Sequence, residues 1–212
     1  MNVIKQKDRI ELEKKLPHLP WYIDQYIHYK LPDLSPSSLL EYVRDYECFL
    51  SWLIAEGLSE AKHIKYVSLG ELERLKMEHI DHFRMFLRSR KDHPNTRTTI
   101  SRKLSSLRSL FYYLSQIAED DDFYPLLKRN VMAKVEIKRT HKPKDTAAKL
   151  EGKLLQDEEI SEFIHYIESI YPQDMANNKQ ALYFYELNRE RDVCIISLIL
   201  HSGLRVSEVV NL

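Results

Sequence analysis

Apolar residues in the first 120 positions recur at intervals of three and four, and that spacing restricts the chain to helices packed on one another. After Ser35-Pro36, the residues Leu39, Val43, Tyr46, Leu50 and Ile54 mark one side of a helix, because each residue turns the chain by about 100°. Ser35 suits the N-cap, Pro36 the first helical position, and Gly57 a stop. A second stripe, Ile100, Leu104, Leu107, Phe111 and Leu114, follows Asn95, a reasonable cap. Between the two, Ser68-Leu-Gly-Glu71 fits a capping box. Leu69, Leu72, Leu75, Ile80, Phe83, Phe86 and Leu87 then supply the buried face of one or two helical pieces, with a break near Lys76 to His79. Upstream, Leu16-Pro-His-Leu-Pro20 breaks any first helix. Trp21, Ile23, Tyr26, Ile27 and Leu31 predict a short helix over 21–30, closed by Pro32. Only four glycines occur in 212 residues, which argues against a Gly-rich phosphate loop and against an all-β fold full of tight turns.

The formal charge is zero, so a polyanionic partner has to be argued from local clustering. Residues 90–114 hold six Lys/Arg against one acid. Opposite the apolar stripe of that helix lie Thr98, Ser101, Arg102, Ser105, Ser106 and Ser109, bordered by Arg97, Lys103 and Arg108. A polar helix face is ordinarily just solvated. Ser and Thr are mediocre helix formers, however, and Glu/Lys pairs would stabilise such a face better. Short hydroxyls around an arginine make sense where a helix approaches a DNA groove closely. Arg44 is read as an isolated basic side chain on the polar face of the 36–55 helix.

Glu119-Asp-Asp-Asp122 marks the end of this helical bundle, set at 16–122. Residues 124–153 carry nine Lys/Arg and three acids. That composition suits an extended basic linker, 123–153, effective toward polyanions through counterion release. Val131, Val135 and Ile137 alternate loosely, so a short strand is expected within it. A second domain opens near Leu154, with Asp157-Glu-Glu159 in a helix first turn, favoured by the dipole. Ile160, Phe163, Ile164 and Ile167 continue its apolar face. A polar loop over 171–180 follows, then Leu182 to Leu187 and the apolar run Val193 to Leu200. That helix stops at Gly203, just before Arg205 and Glu208 in the stretch Val206, Val209, Val210, Leu212. A guanidinium fixed at such a turn suits bidentate grip on a phosphate.

Cys48 and Cys194 sit in apolar helical patterns, without the spacing of a disulfide framework or a metal site. The nine His are scattered. Met1 to Ile10 is polar and charged, and no apolar run approaches the roughly 18–20 residues needed to cross a bilayer. A cytoplasmic protein without metal, cofactor or membrane partner is therefore expected. Tyr112, Tyr113, Tyr183 and Tyr185 are read as core or interface aromatics rather than nucleophiles.

These signals together resemble the tyrosine recombinase (phage integrase) family. His201-Ser-Gly-Leu-Arg-Val-Ser-Glu-Val-Val-Asn-Leu212 is similar to that family's first box, commonly Thr-Gly-Leu-Arg-x-Ser-Glu-Leu. Arg191 to Leu200 resembles the helix before it, and Leu155-Gln-Asp-Glu-Glu-Ile160 the entry to the catalytic domain. Asn95 to Ser115 resembles the last major helix of the core-binding domain. The Leu16-Pro-His-Leu-Pro-Trp-Tyr22 opening and the long basic linker resemble the Xer subgroup, and within it the XerS type.

The resemblance implies a mainly α chain. An N-terminal helical core-binding (SAM-like) bundle, 16–122, and a linker, 123–153, precede 154–212, the start of a mixed α/β catalytic domain. It implies a site-specific recombinase acting on double-stranded DNA at a dif-type site to resolve chromosome dimers at cell division. A tyrosine forms a 3′-phosphotyrosyl link, and strands exchange through a Holliday junction without ATP or metal. Full-length subunits would assemble as a synaptic tetramer, with a division-linked DNA translocase as a further partner. Arg205 matches the first catalytic arginine and Glu208 an acidic supporting position. Arg44, Arg97, Thr98, Arg102, Lys103 and Arg108, with Lys138, Arg139 and Lys142 of the linker, are the expected DNA contacts.

Two positions depart from the pattern: Ser202 replaces the commoner Thr, and Gln156 stands where Thr or Ser often caps a helix. The family's hairpin Lys, His-x-x-Arg pair, later His or Trp, and Tyr nucleophile lie downstream of the matched positions. An N-terminal fragment that does not cut DNA by itself is therefore expected. A mobile-element integrase, a non-catalytic DNA-binding fragment and a helical protein-interaction scaffold are the alternative readings.

Overall fold

The computed structural model describes residues 3–90, 94–137 and 154–210. They fall into two compact units, Met1–Thr140 and His141–Leu212. Among the described residues the secondary structure is helical throughout, apart from one isolated bridge between Glu119 and Pro125.

The first unit contains α1 (Val3–Lys15), α2 (Trp21–Lys30), α3 (Pro36–Ala55), α4 (Leu69–Glu73), α5 (Met77–Ser89) and α6 (Arg97–Gln116). Local chemistry sets most of these limits. Ser35 caps α3 by accepting from the Ser38 N–H, and Pro36 opens the helix. Ser68 and Glu71 form the expected capping box on α4. The break near Lys76 separates α4 from α5. Gly57 takes φ +70° after α3, a conformation that costs a residue with a Cβ. Thr96, not Asn95, caps α6; the Asn95 amide instead donates to the Leu87 carbonyl at 2.9 Å.

Helix α6 is the centre of the unit, with α2, α3 and α5 packed around it and α1 laid along α3. The core is rich in rings. Phe49 of α3 meets Phe83 of α5 edge-on at 5.0 Å and Phe111 of α6 at 6.4 Å, arrangements favoured by ring quadrupoles. Buried tyrosines each bring a hydroxyl that needs a partner. Tyr46 donates to the Ser106 carbonyl at 3.1 Å, Tyr22 to the Val67 carbonyl at 3.1 Å, and Tyr26 to the Ser109 hydroxyl at 2.7 Å. Burial pushes the phenols of Tyr22 and Tyr46 well up, so neither is a ready nucleophile.

The packing reaches past residue 122. Leu127, Val131, Met132 and Val135, assigned to a linker from composition, are buried in the same core. The expected short strand is instead a single 3-10 turn, Val131–Lys134, capped by Asn130. The reason lies in the bonds around it. Leu127 N–H donates to the Leu114 carbonyl at 2.9 Å, which draws the chain back onto α6. Arg129 donates to the Glu73 and Leu75 carbonyls at 3.1 and 2.9 Å, satisfying acceptors left open where α4 ends. Arg84 and Arg108 donate to the Glu136 and Val135 carbonyls. Arg108, expected to contact DNA, and Arg129, counted in the basic linker, thus bind backbone, as does Arg84.

The second unit contains α7 (Asp157–His165), α8 (Tyr171–Asp174), α9 (Lys179–Ser202) and α10 (Val206–Val209), with a π-type turn at Tyr166–Ile170 joining α7 to α8. The stretch expected as a polar loop over 171–180 is therefore partly helical. Asn178 caps α9 by accepting from the Ala181 N–H. Tyr185 of α9 donates to the Ile167 carbonyl at 2.7 Å, and its ring lies 5.5 Å from that of Tyr171. None of the described residues of this unit is buried, and Phe163, Phe184, Leu187 and Val210 are exposed.

Candidate nucleic-acid interface and phosphate-binding arginine

The basic face of α6 is not a row of free cations. Arg102 donates through Nη1 and Nη2 to the two carboxylate oxygens of Asp45 on α3, at 2.9 and 3.0 Å. Lys103 Nζ reaches Asp45 Oδ1 at 2.8 Å, and the Ser106 hydroxyl reaches Oδ2 at 2.9 Å. The Asp45 carboxylate has no solvent exposure, while Arg102 keeps 41% of its side chain exposed. Asp45 was absent from the sequence reading. Its signal is an acid embedded between Val43 and Tyr46 of the apolar stripe, but its partners sit on another helix.

Ser106, placed on the polar face by sequence, is wholly buried, and its one hydroxyl proton lies between Asp45 Oδ2 and the Lys103 carbonyl, 2.8 Å from Oγ. Ser109 is taken by Tyr26. What remains on the outer face of α6 is narrower: Arg97, Thr98, Arg102 and Ser105 are exposed, and Ser101 is half-buried. Arg97 has no ion-pair partner among the described residues.

Arg44 is not isolated. It pairs with Glu41 at 2.6 Å and with Glu11 of α1 at 3.1 Å, and those bonds, Glu41 foremost, push its basicity up. Arg108 turns inward to the Val135 carbonyl, and its Nε is buried without a partner. It holds the chain after α6 rather than facing outward. Lys138, Arg139 and Lys142 lie outside the described residues.

In the second unit, α9 ends at Gly203, whose φ of +67° and N–H bond to the Ile199 carbonyl at 3.0 Å close the helix. Arg205 follows in extended conformation and precedes α10. Glu208 reaches back: its carboxylate accepts from the Arg205 backbone N–H at 2.7 Å and lies 3.3 Å from the guanidinium Nη1. The Arg205 side chain is 82% exposed. Glu208 thus holds the turn and touches the cation, and Arg205 faces outward with most of its donors open. At the start of α7, Gln156 supplies no side-chain cap. Glu159 accepts from its N–H at 2.8 Å instead. Among the described residues, no cluster of three or more His, Cys, Asp or Glu could hold a metal ion. No helix there is long and apolar enough to cross a membrane.

Residues 23–116 match the phage integrase N-terminal SAM-like domain. The chain is 37% identical over 213 residues to the tyrosine recombinase XerS of Streptococcus sanguinis, across 95% of this chain and 58% of that protein. It is 38% identical over 219 residues to XerS of Lactococcus lactis subsp. lactis, across 98% of this chain and 61% of the relative. Against XerS of Streptococcus agalactiae it is 40% identical over 206 residues, across 92% and 56% of the two. Residues 23–116 thus fall in a phage integrase N-terminal SAM-like domain, and the chain is similar to tyrosine recombinases along most of its length. It spans less than two thirds of the length of these curated relatives. No solved structure matches it. The two features fall in different units: the α6 surface within the matched SAM-like domain, and Arg205 in the unit beyond it.

Proposed function

We propose that this chain is the DNA-binding half of a site-specific recombinase of the XerS type, together with the first arginine of its catalytic site. The observation that carries this reading is identity of 37–40% to XerS proteins across 92–98% of the chain, which includes both the α6 surface and the Arg205 turn. The proposed substrate is double-stranded DNA at a dif-type site, and the proposed role is resolution of chromosome dimers at division, in the cytoplasm. In a protein of the length of these relatives, Arg205 grips the scissile phosphate and neutralises charge that develops as a tyrosine attacks. Positioning and charge neutralisation dominate such transfers. Glu208 supports Arg205 by bonding its backbone and flanking its guanidinium. Assembly as a tetramer on two sites, and coupling to a division-linked DNA translocase, belong to the same proposal.

The test is covalent trapping. A version extended to the length of the XerS relatives is incubated with a nicked dif-type duplex, and protein–DNA adducts are scored on a denaturing gel. Adduct is expected with the extended protein, and Arg205→Ala is expected to lower its rate by at least 100-fold, the scale of losing one transition-state donor. The 212-residue chain is expected to bind the duplex without adduct. Failure of the extended protein to form adduct on any dif-type duplex would overturn the enzymatic reading.

A further inference from the structure

The Asp45 carboxylate is saturated. A carboxylate offers about four acceptor positions, and here four are filled: Oδ1 by Arg102 Nη2 and Lys103 Nζ, Oδ2 by Arg102 Nη1 and the Ser106 hydroxyl. The partners stand at three positions along α6, so one buried acid on α3 sets the direction of two cations on its neighbour. Arg102 is engaged end-on, through both terminal nitrogens. Glu41 Oε2 adds a second carboxylate 3.5 Å from Nη2.

That engagement has a consequence for recognition. Bidentate reading of guanine needs two parallel N–H groups of one fork aimed at N7 and O6. The end-on fork of Arg102 is already spent on Asp45, and Glu41 crowds Nη2 on its side-on edge, although the group keeps its charge and 41% of its exposure. Lys103, at 13% exposure, is held likewise. Both can attract phosphate; Lys103 has no fork at all, and the side-on edge left to Arg102, Nε with Nη2, is shared with the Glu41 carboxylate 3.5 Å from Nη2. Arg97, the first residue of α6, is exposed and unpaired among the described residues. Thr98 and Ser105 are exposed on the same helix, and Ser105 donates to the Ser101 carbonyl at 2.9 Å, which leaves its lone pairs open as acceptors.

We propose that Asp45 is a positioning residue that divides the labour on α6: it fixes Arg102 and Lys103 as phosphate-directed charges and leaves base discrimination to Arg97 with Thr98 and Ser105. The proposal rests on the DNA-binding reading above. Phosphate contacts set register without carrying sequence, and base-edge contacts carry sequence.

The experiment uses the 212-residue chain and two probes: a 30-base-pair duplex pool of random sequence, and the duplex most enriched from that pool by the wild-type chain. Anisotropy titrations in a series of KCl concentrations yield the ratio of the two affinities and the salt slope. Arg97→Lys keeps the charge at an exposed position and loses the fork. It is expected to reduce the ratio roughly five- to a hundredfold while pool affinity stays within about twofold. Arg102→Lys is expected to leave the ratio within about twofold, since its fork reads no base. Asp45→Asn removes one negative charge and releases both cations. Pool affinity should rise and the salt slope steepen, while the ratio falls. A merely structural Asp45 would lower both affinities in proportion to the folded fraction seen by circular dichroism.

If Asp45→Asn does not fold, the Arg97→Lys and Arg102→Lys pair decides alone. Collapse of the ratio in Arg102→Lys with an unchanged ratio in Arg97→Lys overturns the proposal. If the wild-type chain binds neither probe even at low salt, the DNA-binding reading fails and takes the proposal with it. If it binds both probes equally, base discrimination by α6 is absent and the proposal alone fails.

Discussion

Met132→Ala tests whether the segment after residue 122 belongs to the first unit. Composition places Met132 in a basic linker, where truncating an exposed side chain would change stability by less than about 0.5 kcal/mol. The structure places it in the 3-10 turn Val131–Lys134 with no solvent exposure. A buried Met truncated to Ala costs about 2–5 kcal/mol, from lost transfer energy and the cavity left behind. For a unit of this size each kcal/mol lowers the midpoint by roughly 3–4 °C, so the expected fall is roughly 6–20 °C. The assay is urea or thermal unfolding followed by tryptophan fluorescence. Trp21 and Trp52 are the two tryptophans of the chain and both lie in the first unit. Trp52 is buried, 6.1 Å from the ring of Phe49, so the signal reports that unit. Met85, 67% exposed on α5, supplies the matched control. Met85→Ala is expected within about 0.5 kcal/mol of wild type. Equal midpoints for Met132→Ala and Met85→Ala would refute the reasoning and return 123–137 to the linker.

Two further outcomes follow from local geometry. Partial burial pushes the Glu71 carboxyl up, but bonds from the Ser68 N–H, Ser59, the Glu60 N–H and the Ser68 hydroxyl outweigh it and hold the group below its ordinary range. A depressed folded value contributes stability above the unfolded pKa that is lost as pH falls through the folded one. Glu71→Gln should therefore cost about 1 kcal/mol above about pH 5, with the gap to wild type closing on acidification in urea melts at stepped pH. Gly203→Ala meets no atom within 4 Å of the added carbon, so its cost is the backbone conformation alone, φ +67°. About 1–2 kcal/mol is expected locally, read as faster amide exchange over the last turn of α9 with the first unit unchanged.

The helix limits were legible wherever a single residue type does a local job. Ser35-Pro36, the Ser68/Glu71 box and Gly203 are each satisfied by backbone within a few residues, and the structure uses all of them. The apolar stripes of α3 and α6 were legible for the same reason. What one sequence does not carry is the register of one helix against another. Asp45 meets Arg102, Lys103 and Ser106 across some sixty positions, so Ser106 and Arg102 looked like neighbours on a solvated face. Arg44 looked isolated although Glu41, its nearer partner, stands three positions back on the same helix; only the second partner, Glu11 of α1, depends on how the helices pack. Arg108 and Arg129 counted toward a basic patch, yet both donate to carbonyls of their own unit. Charge composition records that a cation is present, and only packing decides what it is spent on. In the second unit Gly203, Arg205 and Glu208 were placed together correctly because all three lie within one turn.

The two arginines singled out on chemical grounds are prepared to different degrees. Ordering a long basic side chain on a ligand costs up to about 2 kcal/mol of rotamer entropy. Arg102 has already lost that freedom, since a buried carboxylate holds it through two bonds, and binding a phosphate asks little more of it. The positive and negative charges of the chain balance, so under the proposed function such preorganisation is one way a surface without net positive charge holds DNA. Arg205 differs. Gly203 and Glu208 fix the backbone at its Cα, but the guanidinium is 82% exposed and meets one carboxylate oxygen at 3.3 Å. Transition-state stabilisation depends on donors set in place before the charge develops. Within these residues the turn meets that demand for the backbone and not for the side chain. Under the proposed function, phosphate binding by Arg205 therefore bears an ordering cost that Arg102 has met on folding, and affinity for DNA is expected to be governed by α6 rather than by Arg205.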